Sequence, residues 1–390
     1  MNELTAFEFT SLTGYTRTMA HKIFFSIIPF IIVTLCLFAI ASLTILRAGL
    51  AFGVIQAGLG YNTILWLSIL APILIIITMV LGRRIHSKLI SVTNLIGVLW
   101  LPFLMYFFFG AVILSVIYNL KIRLGYEINM TTLSWIVISL STAAIIYGIV
   151  NATFIRITKR TVESKALSKN WQGKNIVLVS DLHIGTVRGA HFMQKVVKKI
   201  NSLNPGMVII AGDIIDGPVF DYEKGLSPLK NLKSTHGIFY TPGNHEQYNL
   251  EPGKWMSILK SLITPLVDSR IEVNGTQIIG LDYSMEKGDA TRDRLKKTGY
   301  IKENPSIIIL HDPKNVPALR EDNPSLIVSG HTHAGQFFPI TILVKSMYKK
   351  LTYGLTKVGE TTNITSSGVG TSTSPLRIGT NPEIVLIQIK

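Results

Sequence analysis

Five apolar runs in the second half of the chain each stop at side chains that hold metals or move protons. Ile176 to Val179 leads into Asp181 and His183, Met207 to Ala211 into Asp213 and Asp216, and Gly237 to Thr241 into Asn244, His245 and Glu246. Ser306 to Leu310 leads into His311, and Leu326 to Val328 into His331 and His333. Side chains alternate along extended backbone, so His331 and His333 leave the strand end on the same side and can share one site. A single Asp, Asn or His after an apolar run reads as a turn, because these residues favour turns. Five such endings in succession read instead as a site beyond the carboxyl ends of the strands, where open α/β sheets bind their ligands. The chain has one cysteine, Cys36, inside an apolar stretch, so no intrachain disulfide forms and any metal here is held by His, Asp or Asn.

The elements that must position these residues alternate as those of an α/β domain do. Ala190 to Leu203 spaces Phe192, Val196, Val197 and Ile200 as an amphipathic helix, and Asn204-Pro205-Gly206 stops it. A further helical stretch is expected near Leu226 to Leu232, ahead of the third run. His191, His236, His21 and His86 belong to no motif and read as ordinary surface residues.

Charge divides the chain of 390 residues into two unlike parts. Residues 1 to 155 hold eight Lys/Arg and three Asp/Glu, and residues 156 to 390 hold thirty and twenty. The mean hydropathy of +0.39 is too high for an ordinary soluble protein. Four uncharged apolar stretches, about 23–46, 63–81, 95–117 and 132–154, match the roughly 20 residues of helix that cross a bilayer, so a four-helix transmembrane region is expected. Eleven basic residues flank one side of these spans, from Arg17 and Lys22 through Arg83, Arg84 and Lys88 to Arg156 and Lys174, against Arg47, Lys121 and Arg123 on the other. That bias predicts a multi-pass protein of the cell membrane with both termini, and the whole soluble half, in the cytoplasm. Ala39-Ile40-Ala41 resembles a signal-peptide cleavage site, but the apolar run continues past it. The spans carry no ionisable residue, which argues against transport. The net charge of +15 forms no basic patch interleaved with aromatics, so nucleic acid is not expected as a partner and anionic lipid is. Residues 156–174 read as a basic linker along the membrane surface, and the domain proper is expected over 175–390.

Taken together, the strand-end motifs resemble the calcineurin-like metallophosphoesterase superfamily. Its pattern of Asp-x-His, Gly-Asp-x-x-Asp, Gly-Asn-His-Asp/Glu, a lone His and Gly-His-x-His is present in full and in order across about 175–390. The chain looks most similar to membrane-associated bacterial phosphodiesterases with an N-terminal transmembrane region. Ala334 stands where that branch commonly has glycine. The resemblance implies a central β-sandwich flanked by helices, an αββα domain.

The same resemblance implies two divalent metal ions. Asp181, His183, Asp213 and His333 would hold one, and Asp213, Asn244, His311 and His331 the other, with Asp213 as the bridge. Two ions about 3.5–4 Å apart clamp a phosphoryl group and acidify a bound water. Manganese is favoured for this donor set, with iron or zinc as alternatives and calcium disfavoured. His245 would act as the catalytic histidine without binding metal, and Asp216 would orient it through a hydrogen bond. Arg377, in the tail segment that shares the resemblance, could steer a substrate phosphate or simply close a salt bridge near the C-terminus.

The expected substrate is a phosphate ester or pyrophosphate, lipid-linked because Phe337 to Lys357 mixes apolar and basic residues as membrane interfaces do. The same segment reads equally well as a core strand followed by a solvated helix face. A cytosol-facing nucleotide or cyclic-nucleotide phosphodiesterase tethered to the membrane is the alternative enzyme. A non-catalytic metal-binding interaction module is the alternative class, and it predicts missing ligands or a lost catalytic histidine, whereas both are kept.

Overall fold

In the computed structural model the described residues are 40–55, pieces of 61–77, and 88–390 apart from 186, 217–220, 248–251 and 286–287. Helix α1 (Ile40–Ala51) is short and apolar. Helix α2 (Lys88–Leu124) contains Leu95–Leu124, and helix α3 is Met130–Asn151; both are long and apolar enough to cross a membrane. They coincide with the third and fourth expected spans. Residues 23–39 of the first expected span lie outside the described residues, and the second is described only in pieces, so a four-helix region is not established.

The remaining chain forms two six-stranded mixed sheets. The first runs in the order β1 (Arg156–Val162), β12 (Glu383–Ile389), β2 (Asn175–Val179), β3 (Met207–Ala211), β4 (Ile238–Thr241), β5 (Thr264–Pro265). The second runs in the order β10 (Gly354–Val358), β11 (Thr361–Thr365), β9 (Leu326–Ser329), β8 (Ser306–Leu310), β7 (Thr276–Leu281), β6 (Ser269–Val273). Alternation assigns each side chain to a layer. Ile176, Leu178, Met207 and Ile209 meet Ile278, Ile307, Ile309 and Val328 between the sheets. Val177, Val179, Val208 and Ile210 face outward onto helix α5 (Ala190–Asn201; α4 is Lys165–Trp171), which presents Met193, Val196, Val197 and Ile200 at helical spacing. On the opposite side Ile279, Ile308, Leu310 and Ile327 pack against Leu295, Val316 and Leu319. Strands buried on both faces read as continuous apolar runs, which is why the sequence displays runs here and no alternation.

The basic stretch 156–174 is not a linker. Its first residues form β1, which pairs in parallel with β12 from Arg156 opposite Glu383 to Val162 opposite Ile389. Its later residues form α4, capped by the Ser164 side chain and burying Leu167 and Trp171. The Trp171 indole donates to Thr276 Oγ1 at 2.9 Å. Only Val162 of this edge strand is buried, with Thr158 and Arg160 half-buried, so its charged side chains conceal the strand in the sequence.

The last turns of α3 are stitched to the tail loop that precedes β12. Arg377 N–H donates to the Gly148 carbonyl at 2.9 Å, and the Asn151 amide donates to the carbonyls of Arg377 and Thr380, each at 3.0 Å. A Cβ at position 148 would lie 2.7 Å from the Ile378 side chain, so glycine is what lets the helix approach this closely.

Candidate metal centre

The parallel strands β2, β3 and β4 of one sheet and β8 and β9 of the other end at the same edge of the sandwich, and the polar residues follow at once. Asp181, His183, Asp213, His331 and His333 all take left-handed backbone conformations, with φ between 48° and 71°. A non-glycine residue there costs about 1–2 kcal/mol, so the surrounding packing must hold each turn in place. The packing is close: a Cβ on Gly212 would lie 2.3 Å from His311 Nδ1, and one on Gly243 would lie 2.2 Å from Asp213 Oδ1.

Two clusters of donors share Asp213. Its Oδ1 accepts the His245 main-chain N–H at 2.9 Å, which fixes the carboxylate plane. Its Oδ2 lies 3.2 Å from His311 Nε2 and 3.8 Å from His183 Nε2. On one side His183 Nε2 and His333 Nε2 are 3.0 Å apart, with Asp181 Oδ1 3.4 Å from the latter. On the other, Asn244 Oδ1 lies 2.8 Å from His331 Nδ1 and 3.2 Å from His311 Nε2. All seven residues that the motifs single out as ligands are therefore brought together, and Asp213 stands between the two groups.

The Ala211 carbonyl, 2.7 Å from His311 Nδ1, can only accept, so Nδ1 carries a proton. Burial would lower the His311 pKa, but Asp213 outweighs it and raises it to about 10, so without a metal Nε2 is protonated as well, and a bound cation would displace that proton. His333 is held well below its usual pKa by burial and by the nearby His183 and Arg377, so it is neutral. Burial pushes the Asp213 carboxyl up, but His311, His245 and His183 outweigh it and hold it well below the usual range. Buried carboxylates facing imidazole nitrogens, with a side-chain amide oxygen between them, form a mixed N/O donor set of the kind that divalent transition metals take.

Glu246 is the main residue whose part was not foreseen. Buried, it accepts main-chain N–H bonds from Asp213 and Gly243 through one oxygen, at 2.9 and 2.7 Å, and from Ile214 and Ile215 through the other, at 2.6 and 3.1 Å. Four donors on one carboxylate lock the turn after β3 to the turn after β4. Its only sequence signal is its place after Asn244-His245.

His245 and Asp216 pair as expected, with His245 Nδ1 at 2.9 Å from Asp216 Oδ1. Burial alone would lower the His245 pKa; the charge of Asp213 and the bond to Asp216 reverse this and raise it to about 9. Asp216 lies well below the usual carboxylate range, because the neighbouring imidazoles of His183 and His245 outweigh its burial.

Arg377 departs from its expectation. It is 0% exposed, and its guanidinium donates to the carbonyls of Ser367, Gly368, Gly370 and His333. A cation walled in this way does not reach a substrate phosphate. Its Nη2 lies 3.3 Å from His333 Nδ1, so it ties the tail loop to a ligand candidate. Tyr283 and Tyr348, which no motif marks, stand 6.1 and 6.0 Å from the His331 ring.

Residues 174–335 match the calcineurin-like phosphoesterase family model. An uncharacterized metallophosphoesterase of Helicobacter pylori is 38% identical over 223 residues, covering 55% of this chain and 59% of that protein. The chain thus spans about three fifths of the length of that relative. An uncharacterized metallophosphoesterase of Campylobacter jejuni is 31% identical over 283 residues, covering 70% of this chain and 72% of its own length. A Danio rerio protein described as a transmembrane protein with a metallophosphoesterase domain is 31% identical over 262 residues, covering 63% of this chain and 60% of its own length.

Proposed function

The chain belongs to the calcineurin-like metallophosphoesterase family, and from that premise we propose that it is a membrane-held, dinuclear-metal phosphoric ester hydrolase. The observation that carries this reading is the place of Asp213, one oxygen anchored by the His245 amide and the other directed between His183 and His311. Asp181, His183, Asp213 and His333 would hold one ion and Asp213, Asn244, His311 and His331 the second, with manganese favoured and iron or zinc able to substitute. Two such ions supply Lewis acidity to a phosphoryl group and lower the pKa of water at the site.

The protein's own groups do the rest. Asp216 orients the His245 ring through Nδ1, which assigns Nε2 to deliver a proton to the leaving oxygen. Glu246 keeps the turns bearing Asp213 and Asn244 in register, and Arg377 holds the loop behind His333. A buried, rigid donor set keeps the charges around the phosphoryl group in fixed positions, so none must reorganise as negative charge shifts to the leaving oxygen.

The finer reading is a phosphodiesterase or pyrophosphohydrolase acting on a lipid-linked phosphate, with its catalytic domain on the cytoplasmic face. Support comes from α2 and α3, from the distribution of positive residues and from the description of the Danio rerio relative. The test is hydrolysis of bis-p-nitrophenyl phosphate and p-nitrophenyl phosphate by the full chain with added manganese, beside Asp213→Asn and His245→Ala. Diester cleavage lost in both variants supports the reading; cleavage unchanged in both refutes it.

A further inference from the structure

Helix α10 (Ile340–Tyr348; α6 is Tyr222–Leu226, α7 Asn244–Gln247, α8 Pro252–Lys260 and α9 Asp289–Lys297) begins seven residues after His333, the last metal-ligand candidate, and it has two unlike sides. Tyr348 is buried and stacks edge-on against His331. Ile342, Leu343 and Met347 are 62, 56 and 53% exposed, and Phe338 just before the helix is 52% exposed. At 100° per residue, Ile342, Leu343 and Met347 span an arc of about 140°. Lys345 borders that arc, and Lys349 and Lys350, also exposed, follow it. Apolar side chains rimmed by lysines match a bilayer surface of acyl chains beneath anionic headgroups.

A second, independent relationship fixes where this face lies. Phe338 N–H donates to the Ile378 carbonyl at 2.9 Å, and the neighbouring Arg377 N–H donates to Gly148 in the last turns of α3. The same loop reaches α2, where Ser374 Oγ donates to the Val98 carbonyl at 2.6 Å. The residue that leads into α10 is therefore two main-chain hydrogen bonds from the end of a helix long and apolar enough to cross a membrane.

We propose that the Phe338, Ile342, Leu343 and Met347 face of α10 seats in the lipid surface, with Tyr348 on the opposite side of the helix carrying that contact to His331. This deepens the function proposed above, since it names the surface from which the same site would draw a lipid-linked ester. It also accounts for exposed apolar side chains beside a polar site, which would otherwise be an aggregation liability.

The test places a fluorescent reporter at Leu343→Cys in the full chain, with Cys36→Ser removing the natural cysteine, and at exposed Glu272→Cys on β6 as the comparison. The protein is reconstituted into phosphatidylethanolamine and phosphatidylglycerol bilayers, with or without a lipid bearing a doxyl quencher near its headgroup. Seating in lipid predicts blue-shifted emission and doxyl quenching at position 343, with water-like, unquenched emission at 272. Water-like emission at 343 overturns the proposal. So does a blue shift without quenching, which would mean a second copy of the chain covers the face. The readout needs no turnover, so a protein that fails to hydrolyse any diester would still report on it, and failure of the two proposals is told apart. In an active protein, Leu343→Asp is expected to lower cleavage of a bilayer-presented ester roughly tenfold relative to the soluble diester.

Discussion

Asp216 Oδ1 and His245 Nδ1 lie 2.9 Å apart, and the bond joins the histidine that follows Asn244 to the carboxylate three residues after Asp213. In the metal-free protein this pairing makes stability depend on pH. The His245 pKa is raised to about 9, above its ordinary value of 6.5, so its contribution is fully present below 6.5 and is lost as pH rises through about 9. Thermal midpoints of the metal-free protein should fall between pH 6.5 and 10 by more in the wild type than in Asp216→Asn, which removes one source of the shift. An equal fall in both would deny the pairing.

In the proposed function His245 transfers a proton without holding metal, although its ring nitrogen lies close enough to His183 and Asp213 to join a metal-binding group. His245→Ala is therefore expected to lower the turnover rate by about 10²–10⁴-fold while metal content stays at the wild-type level. Loss of metal along with activity would place this histidine among the ligands instead.

Glu246→Gln keeps the side chain's shape but turns an NH₂ group toward two main-chain donors. Leaving buried donors unsatisfied costs about 1–3 kcal/mol, so the variant should unfold at lower temperature and bind metal more weakly. Weakened binding is the part that a role confined to general folding would not produce.

Ala334 has φ +51°, in the region that favours glycine. Ala334→Gly should stabilise the protein by roughly 0.5–1 kcal/mol, the relief of left-handed strain exceeding the added chain entropy. The departure from glycine noticed in the sequence thus has a conformational cost that unfolding midpoints can read.

Trp171→Ala should cost about 3–5 kcal/mol, as removal of a large buried aromatic does. A surface linker would tolerate it within experimental error. The substitution therefore tests whether residues 156–174 are part of the domain.

What could be read from the sequence follows from which interactions are local. Asp181, His183, Asp213, Asn244, His311, His331 and His333 could be found because each follows an apolar run by one to five residues, and chemistry restricts their types. The strands of an α/β domain were likewise legible, since strands buried on both faces are uninterrupted apolar runs, whereas the αββα layering was implied only by the family resemblance. Strand β1 was not, because its partner β12 lies more than 200 residues away and an edge strand needs only one buried side. Arg377 misled for another reason: its enclosure depends on how the tail loop folds, which wraps loop carbonyls and that of His333 around its guanidinium. Glu246 was visible as a motif residue, but its four donors come from two separate turns that only the fold brings together.

The most direct measurement counts metal ions and follows diester hydrolysis together. The full chain is stripped of metal, titrated with manganese and assayed on bis-p-nitrophenyl phosphate, beside Asp213→Asn. The account predicts about two ions per chain at full activity, negligible activity without metal, and loss of both tight binding and turnover in the variant. Full activity in the stripped protein, or a variant that keeps both ions and wild-type turnover, would contradict it.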